Sequence, residues 1–371
     1  WHEAAAGAFE NAWLAISHDG GGNFGPPIHV SDHPLGSTVE LHPSVAVRGG
    51  RVVVAWQEFT SGRDDDVGRI QLAHFDADGH KRGADTRVDD DDAAGKWLPA
   101  VALVGSTPVV TWIDERDRGP EGEALEHVYL ARAARGGRRF DPAVRLDAST
   151  PVPLAGHLGN TWSPTIASSG TAVVVAWADF RNYNWDIFST TSRDRARTFA
   201  GNLRVDDFPD YERINERPSL ALDRSTVHAV WSDLRAREPD TNIYYARATL
   251  GGSFAGSRAL DDSRAGFDPD RDTPSNQWRP SLAADGDQLF VAWQDHRLGN
   301  ADIFFTSSAD GGQTFATNER VDDSGAGNST QTHPSLAVGG KGSRRRCFVA
   351  WEDDRDGTSD IRLAQRPCGN R

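Results

Sequence analysis

Methionine is absent from these 371 residues, and only two cysteines and five tyrosines occur. No apolar run approaches the ~18–20 residues a membrane-spanning helix needs. Positive charge is also short. The formal net charge is −14, which excludes the basic footprint that nucleic-acid phosphates require, and the one basic run, Arg344-Arg345-Arg346, reads as a local turn. Several chemical signatures are missing as well. There is no CxxCH for haem, no HExxH for zinc (His2-Glu3 lacks the second histidine), no G-x-S-x-G elbow and no Walker loop. With Trp1 first and no initiating methionine, the chain reads as mature or trimmed, its targeting segment absent, so secretion is an inference.

The two cysteines still carry information. Cys347 and Cys368 fall on or beside neighbouring strands near the C-terminal end, where an antiparallel hairpin can bring them together. A disulfide is the favoured reading, with two free thiols the alternative. It implies an oxidising compartment: secreted, periplasmic or cell-surface.

What is abundant is repetition. A proline opening a strand recurs as Pro43, Pro99, Pro164, Pro218, Pro280 and Pro334. A tryptophan ending the next strand recurs as Trp56, Trp112, Trp177, Trp231, Trp293 and Trp351. Successive tryptophans stand 56, 65, 54, 62 and 58 residues apart. The proline-to-tryptophan distance is 13 residues in five copies and 17 in the last, where Lys341 to Arg346 carries an insertion. Residues 279–323 show the unit most clearly: four short strands rich in β-branched and aromatic residues, bounded by Gly, Asn and Asp turns. Four strands per ~55–60 residues with short connections predict an all-β propeller of four-stranded antiparallel blades. The repeated indoles fill the space between blades.

The single domain, residues 1–371, divides into full blades at 43–90, 99–147, 164–207, 218–262 and 280–323. Residues 11–32 resemble strands three and four of a half blade, and 334–368 form a partial one. Pairing these N- and C-terminal strands would close the ring and remove exposed edges. That counts six blades, with seven the alternative.

Between strands three and four lies Ser308-Ala309-Asp310-Gly311-Gly312-Gln313-Thr314-Phe315, an S-x-D-x-G-x-T-F spacing. Ser17 to Phe24 repeats it with Asn23 for Thr, and Ser192 to Phe199 repeats it with Ala196 for Gly. Short Ser and Asp side chains bond turn amides, Gly accepts positive φ, and the aromatic anchors the turn. Here the sequence resembles the Asp-box (BNR) repeat of sialidase-like β-propellers. In such families the box is peripheral, so it implies architecture rather than activity.

The turn after strand two and the loop before strand one share the opposite end of a blade. W-x-D-x-R recurs there at Trp112, Trp177, Trp231, Trp293 and Trp351, while the first copy departs as Trp56-Gln57-Glu58. Identical residues on every blade suit a scaffold, with Arg181, Arg235 and Arg297 the candidates for a ligand. Departures from the repeat say more about function. Trp97, Trp162 and Trp278 stand two positions before the proline, where other copies have Leu41, Glu216 and Thr332. Tyr183 and Trp185 join them. Aromatic faces beside guanidinium and carboxylate groups suit sugars, so this set is the expected ligand site.

The resemblance implies, for a sialidase, an arginine cluster, a Tyr–Glu nucleophile pair and an acid/base Asp. The F/Y-R-I-P segment of that family is absent. Tyr211 beside Glu212, with Arg217 and Arg279 as carboxylate binders, is the one constellation available. Tyr129, Tyr244 and Tyr245 read as packing residues in third strands. No cofactor is required. The alternating Asp268, Asp270 and Asp272 allow a structural calcium, although Thr273 replaces the usual Gly and no bidentate Glu follows. The recurrent Val-Asp-Asp reads as turn chemistry. The sequence therefore favours a secreted binding or assembly module for a glycan or an extracellular protein. An exo-acting glycoside hydrolase of sialidase type is the alternative, and a purely structural subunit of an extracellular complex the third reading.

Overall fold

The computed structural model describes residues 1–4, 9–60, 67–91, 93–134, 137–147, 160–207, 214–234, 241–262, 276–325, 329–340 and 345–368. Among them regular structure is all β, in seven antiparallel sheets that follow one another along the chain. The first holds β1 (His2–Ala4), β2 (Glu10–Leu14) and β3 (Ile28–His29). The second holds β4 (Thr38–Arg48), β5 (Arg51–Thr60), β6 (Arg69–Asp76) and β7 (Thr86–Arg87). The third holds β8 (Lys96–Val104), β9 (Thr107–Arg118), β10 (Ala124–Arg132) and β11 (Val144–Arg145). The fourth holds β12 (Thr161–Ser169), β13 (Ala172–Asp179), β14 (Asp186–Ser192) and β15 (Leu203–Arg204). The fifth holds β16 (Asn215–Asp223), β17 (Thr226–Asp233), β18 (Asn242–Thr249) and β19 (Arg258–Ala259). The sixth holds β20 (Gln277–Asp285), β21 (Gln288–Asp295), β22 (Asp302–Ser308) and β23 (Glu319–Arg320). The seventh holds β24 (Gln331–Gly339), β25 (Arg346–Asp353) and β26 (Asp360–Pro367).

Seven blades replace the six expected, and the chain ends form two separate sheets instead of one composite. The reason is a tryptophan missed by the count. Trp1-His2-Glu3 is a seventh W-x-acid copy, 55 residues before Trp56. The Trp1 indole N–H donates to Glu3 at 3.3 Å, as Trp112 donates to Asp114 at 2.8 Å. Glu3 pairs with Asn11 as Asp233 pairs with Asn242. The first sheet thus carries strands two to four of the repeat, and the seventh carries strands one to three.

The chain folds into two compact units, Trp1–Arg181 with Thr190–Asn202, and Asn182–Ser189 with Leu203–Arg371. In the first unit Trp56 packs against Ala12 and Val30 of the preceding sheet, and Trp112 against Val53, Ile70 and Leu72. In the second, Trp293 packs against Val230, Ile243 and Tyr245, and Trp351 against Phe290, Ile303 and Phe305. Each of these four indoles is a wedge on the blade before it. Second strands such as AVVVAWAD of β13 are buried on both faces, which explains their unbroken apolar run. Burial of ~150–250 Å² per indole stabilises by roughly 4–6 kcal/mol.

The three S-x-D turns share one set of bonds. The serine hydroxyl accepts from the amide four residues on, in Gly21, Ala196 and Gly312, at 2.7, 3.0 and 2.9 Å. The aspartate accepts from Asn23, Thr198 and Thr314 amides at 2.8, 3.0 and 2.9 Å. Asn23 replaces threonine because its Nδ2 donates to the same carboxylate, at 2.7 Å. Arg195 and Ala196 take φ of 66° and 60°, where the other turns place glycines. Phe315 packs edge-on against Tyr245 at 5.0 Å, whereas Phe24 is half exposed. Cys347 and Cys368 are joined in a disulfide.

Candidate functional site

The W-x-D-x-R motif builds a rigid corner. Indole N–H groups of Trp177, Trp231, Trp293 and Trp351 donate to the aspartate two residues on, at 2.7, 2.8, 2.8 and 2.9 Å. The same carboxylate receives a two-pronged guanidinium: Arg297 Nε and Nη2 reach Asp295 at 3.0 and 2.7 Å, and Arg355 reaches Asp353 at 2.8 and 2.6 Å. The outer aspartate of the preceding Val-Asp-Asp, or of Leu260-Asp261-Asp262 in the fifth sheet, then clamps the remaining nitrogen. Asp90 holds Arg116 at 2.7 Å, Asp262 holds Arg297 at 2.6 Å, and Asp323 holds Arg355 at 2.5 Å. The inner aspartate accepts a third-strand amide, as Asp322 does from Ile303 at 3.0 Å. Burial alone would lower the Arg297 pKa, but the Asp295 bonds raise it. Arg181 is spoken for by Asp179 and Asn202. Both arginines therefore serve the scaffold, while Arg235 lies outside the described residues.

At the mouth of each of the second to seventh blades the first strand carries a bulge. Pairing skips from Leu41 to Ser44, Trp97 to Ala100, Trp162 to Thr165, Glu216 to Ser219, Trp278 to Ser281 and Thr332 to Ser335. The proline, which cannot donate to a ladder, sits inside the bulge. The residue before it takes φ of 50–54° in His42, Leu98, Ser163, Arg217, Arg279 and His333. Non-glycine residues rarely adopt that conformation, and bulges re-aim side chains. One backbone device thus presents a different side chain from each blade.

In the second unit three such bulges lie side by side. Ser219 Oγ accepts from the Leu282 amide at 3.0 Å, and Ser281 Oγ from Leu336 at 2.9 Å, tying β16 to β20 and β20 to β24. This places Arg217, Arg279 and His333 on adjacent strands. Burial first, and then the positive charge of Arg217, lower the Arg279 pKa to about 10, against the opposing pull of Glu352 and Glu216. Neither guanidinium has a hydrogen-bonded carboxylate among the described residues, and Arg217 Nε is buried without a partner. Glu352 Oε2 lies 3.1 Å from His333 Nδ1 and accepts from the Thr332 hydroxyl at 3.3 Å. Trp278 stands on β20 one residue before Arg279. The unit thus gathers two unneutralised cations, an indole and a carboxylate oriented by histidine.

The first unit holds Trp97 and Trp162. The Trp97 ring tilts against Phe59 at 5.8 Å. A methyl added to Gly95 would meet Glu115 Oε2 at 2.3 Å and the Trp97 ring at 3.1 Å, so carboxylate and indole are neighbours. Burial and then the Glu115 charge push the Glu126 pKa up. The Glu126 carbonyl accepts from the Thr161 hydroxyl at 3.1 Å, next to Trp162. Trp185 and Tyr183 belong to the second unit. The Trp185 carbonyl accepts from the Asn215 amide at 2.9 Å, and Tyr183 is exposed at φ 58°. Tyr211, Glu212, Asp268, Asp270 and Asp272 lie outside the described residues, as do residues 341–344 of the C-terminal insertion. Sequence reasoning missed the pairing of Glu352 with His333. The signal available was Glu352 itself, filling the W-x-D middle position that holds Ile113, Ala178, Ser232 or Gln294 elsewhere.

No family model matches the chain, and no curated protein does. Solved structures do. An α-L-arabinanase from Penicillium chrysogenum, complexed with arabinobiose, superposes with a TM-score of 0.59 at 12% identity, covering 96% of this chain and 99% of that one. The NanB sialidase of Streptococcus pneumoniae gives 0.51 at 8% identity, covering 87% and 69%. A polysaccharide lyase, a PL25 ulvan lyase bound to -[GlcA(1-4)Rha3S]-, gives 0.52 at 10% identity, covering 91% and 87%. These likenesses show the β-propeller fold.

Proposed function

We propose that the chain is a carbohydrate-active propeller of glycoside-hydrolase type, acting on a glycan that carries a carboxylate or sulfate. One observation carries this reading: Arg279 is desolvated and repelled by Arg217 on the neighbouring strand, Arg217 Nε is buried without a partner, and neither has an ion-paired carboxylate among the described residues. The described arginines of the W-x-D-x-R corners are matched to aspartates, so an unmatched pair is a place for an anion from outside. Trp278 offers a sugar-stacking face, and Glu352, oriented by His333 and Thr332, offers a proton-handling carboxylate. The similar structures include glycosidases and a lyase, which favours the enzyme over the non-catalytic module. The three S-x-D turns support membership in an Asp-box type of propeller. The disulfide fits an extracellular or periplasmic setting.

The test is product release from sialylated, uronate-containing and neutral oligosaccharides. Turnover confined to the acidic substrates is expected. Glu352→Gln should abolish it while leaving binding, and Arg279→Met should raise KM at least tenfold. Turnover of neutral arabinan alone, unaffected by Arg279→Met, would refute the anionic assignment. Binding without turnover in any substrate would return the chain to the class of non-catalytic modules.

A further inference from the structure

The second sheet's corner is built without an arginine. It reads Trp56-Gln57-Glu58, with Thr60 where the W-x-D-x-R corners place the guanidinium. Asp32, at the place of the outer aspartate, holds Lys81 instead at 2.6 Å, and Asp85 lies 2.6 Å from the same ammonium. Glu58 is buried, and Glu40, wholly buried, stands directly opposite it on β4. Like charges so placed repel. Their counter-charges come from the first sheet, and they are histidines. His29 Nε2 of β3 lies 3.2 Å from Glu40 Oε2, and His33 Nε2, just beyond β3, lies 3.7 Å from Glu58 Oε1. Glu40 also accepts from the Ala12 amide of β2 at 2.8 Å, and Gln71 Nε2 donates to Glu58 at 3.0 Å. Arg69 stands opposite Glu58 on β6, exposed, and forms no ion pair with it.

We infer that the seam between the first and second sheets is a pH-sensitive clasp, closed while His29 and His33 carry charge and loosened when they lose it. Histidine changes charge between about pH 5 and 8, whereas the arginine of the other corners stays charged throughout. With both histidines protonated, each buried carboxylate meets a cation from the neighbouring sheet. With both neutral, two carboxylates face each other and only hydrogen bonds tie them to the first sheet. Glu58 itself acts in the same direction. Burial pushes its pKa up and the Glu40 charge adds to the rise, against the Gln71 bond and the His33 charge. The folded chain thus holds that proton more tightly than the unfolded one. Its contribution is complete below the ordinary glutamate value of 4.5 and is lost as pH rises through the folded value. One contact opposes the clasp. His2 of β1 and His42 of β4 meet edge-on at 5.9 Å, and charging both sets them against each other. Glu10 Oε2 lies 3.9 Å from His2 Nε2 and Gln57 Oε1 3.0 Å from His42 Nδ1, which offsets that repulsion. The carboxylates facing His29 and His33 are the more deeply buried, so solvent screens those pairs least.

The test is hydrogen exchange of the full chain, read by mass spectrometry and corrected for the intrinsic rate at each pH. Protection of β2 and of Val30 should fall at least fivefold between pH 5.5 and 8.0, while β18 in the fifth sheet keeps its own. His33→Arg, which places a permanent cation at a half-exposed position, should reduce the fall to less than twofold. Glu58→Gln, which removes one of the two opposed charges, should do the same. His33→Gln should show the faster exchange already at pH 5.5. Protection that does not change with pH, or a loss shared equally by β18, overturns the proposal. So does a fall that His33→Arg leaves in place, whether or not Glu58→Gln folds.

Discussion

Asp302→Asn should stabilise the protein at neutral pH and leave it unchanged in acid. Asp302 is fully buried at the start of β22. Arg320 lies 2.8 Å from its Oδ1, yet neither carboxylate oxygen has a well-directed hydrogen bond. Burial first, and then the charge of Asp322, raise its pKa from 3.8 to about 6. The folded state therefore holds this proton more tightly than the unfolded chain does. Its contribution is complete below about pH 4 and is lost as pH rises through about 6. A shift of ~2 pKa units corresponds to about 3 kcal/mol. Losing the Arg320 contact offsets part of that, leaving a net gain of about 1–2 kcal/mol at pH 7.5. Asparagine fits the position, because Asn242 and Asn11 occupy it in the fifth and first sheets, both buried. Thermal unfolding by circular dichroism should show Tm higher by about 1–3 °C at pH 7.5 and no difference at pH 4. An equal shift at both pH values, or a lower Tm at pH 7.5, would refute the argument that charge burial is the cause.

Trp293→Ala should cost about 3–5 kcal/mol, because it opens the space against Val230 and Ile243 and removes the N–H bonded to Asp295; an unchanged urea midpoint would contradict the wedge role. Ala196→Gly should add about 1 kcal/mol, because φ of 60° strains alanine; a lower midpoint would show that the turn tolerates it at no cost. Replacing Cys347 and Cys368 together by serine should cost about 3 kcal/mol for a 21-residue separation, and adding reductant to the wild-type chain should reproduce the loss in calorimetry.

The blade unit was legible because proline, tryptophan and aspartate recur at fixed offsets, each for a local reason: a bulge that needs no amide, a space between sheets, an acceptor for an indole. The blade number was not, since the copy that decides it begins at Trp1, with no first strand and no Pro anchor to give the spacing. Glutamate in place of aspartate hid it further. At the candidate site, departures from the repeat pointed to Trp97, Trp162 and Trp278, but the sequence could not show which arginines are already paired. Arg181 and Arg297 end the repeated motif and Arg279 precedes a proline, yet the sequence offered all three for a ligand. Only the bonds separate the first two, clamped by Asp179 and Asp295, from the third, which has no such clamp.

That distinction follows from how a repeat divides its labour. In the four W-x-D-x-R corners whose arginine is described, its charge fastens one blade element to another, so the same residues recur. The pre-proline bulge does the reverse. It imposes one backbone conformation, φ of 50–54°, on whatever residue stands there, and bonds between first strands keep successive bulges adjacent. Side chains at that position can then vary without disturbing the fold. Arg217, Arg279 and His333 are held by the scaffold and are not needed by it. A strained backbone kept at a cost in every copy, with cations left unmatched in only two, is intelligible if an anion completes them.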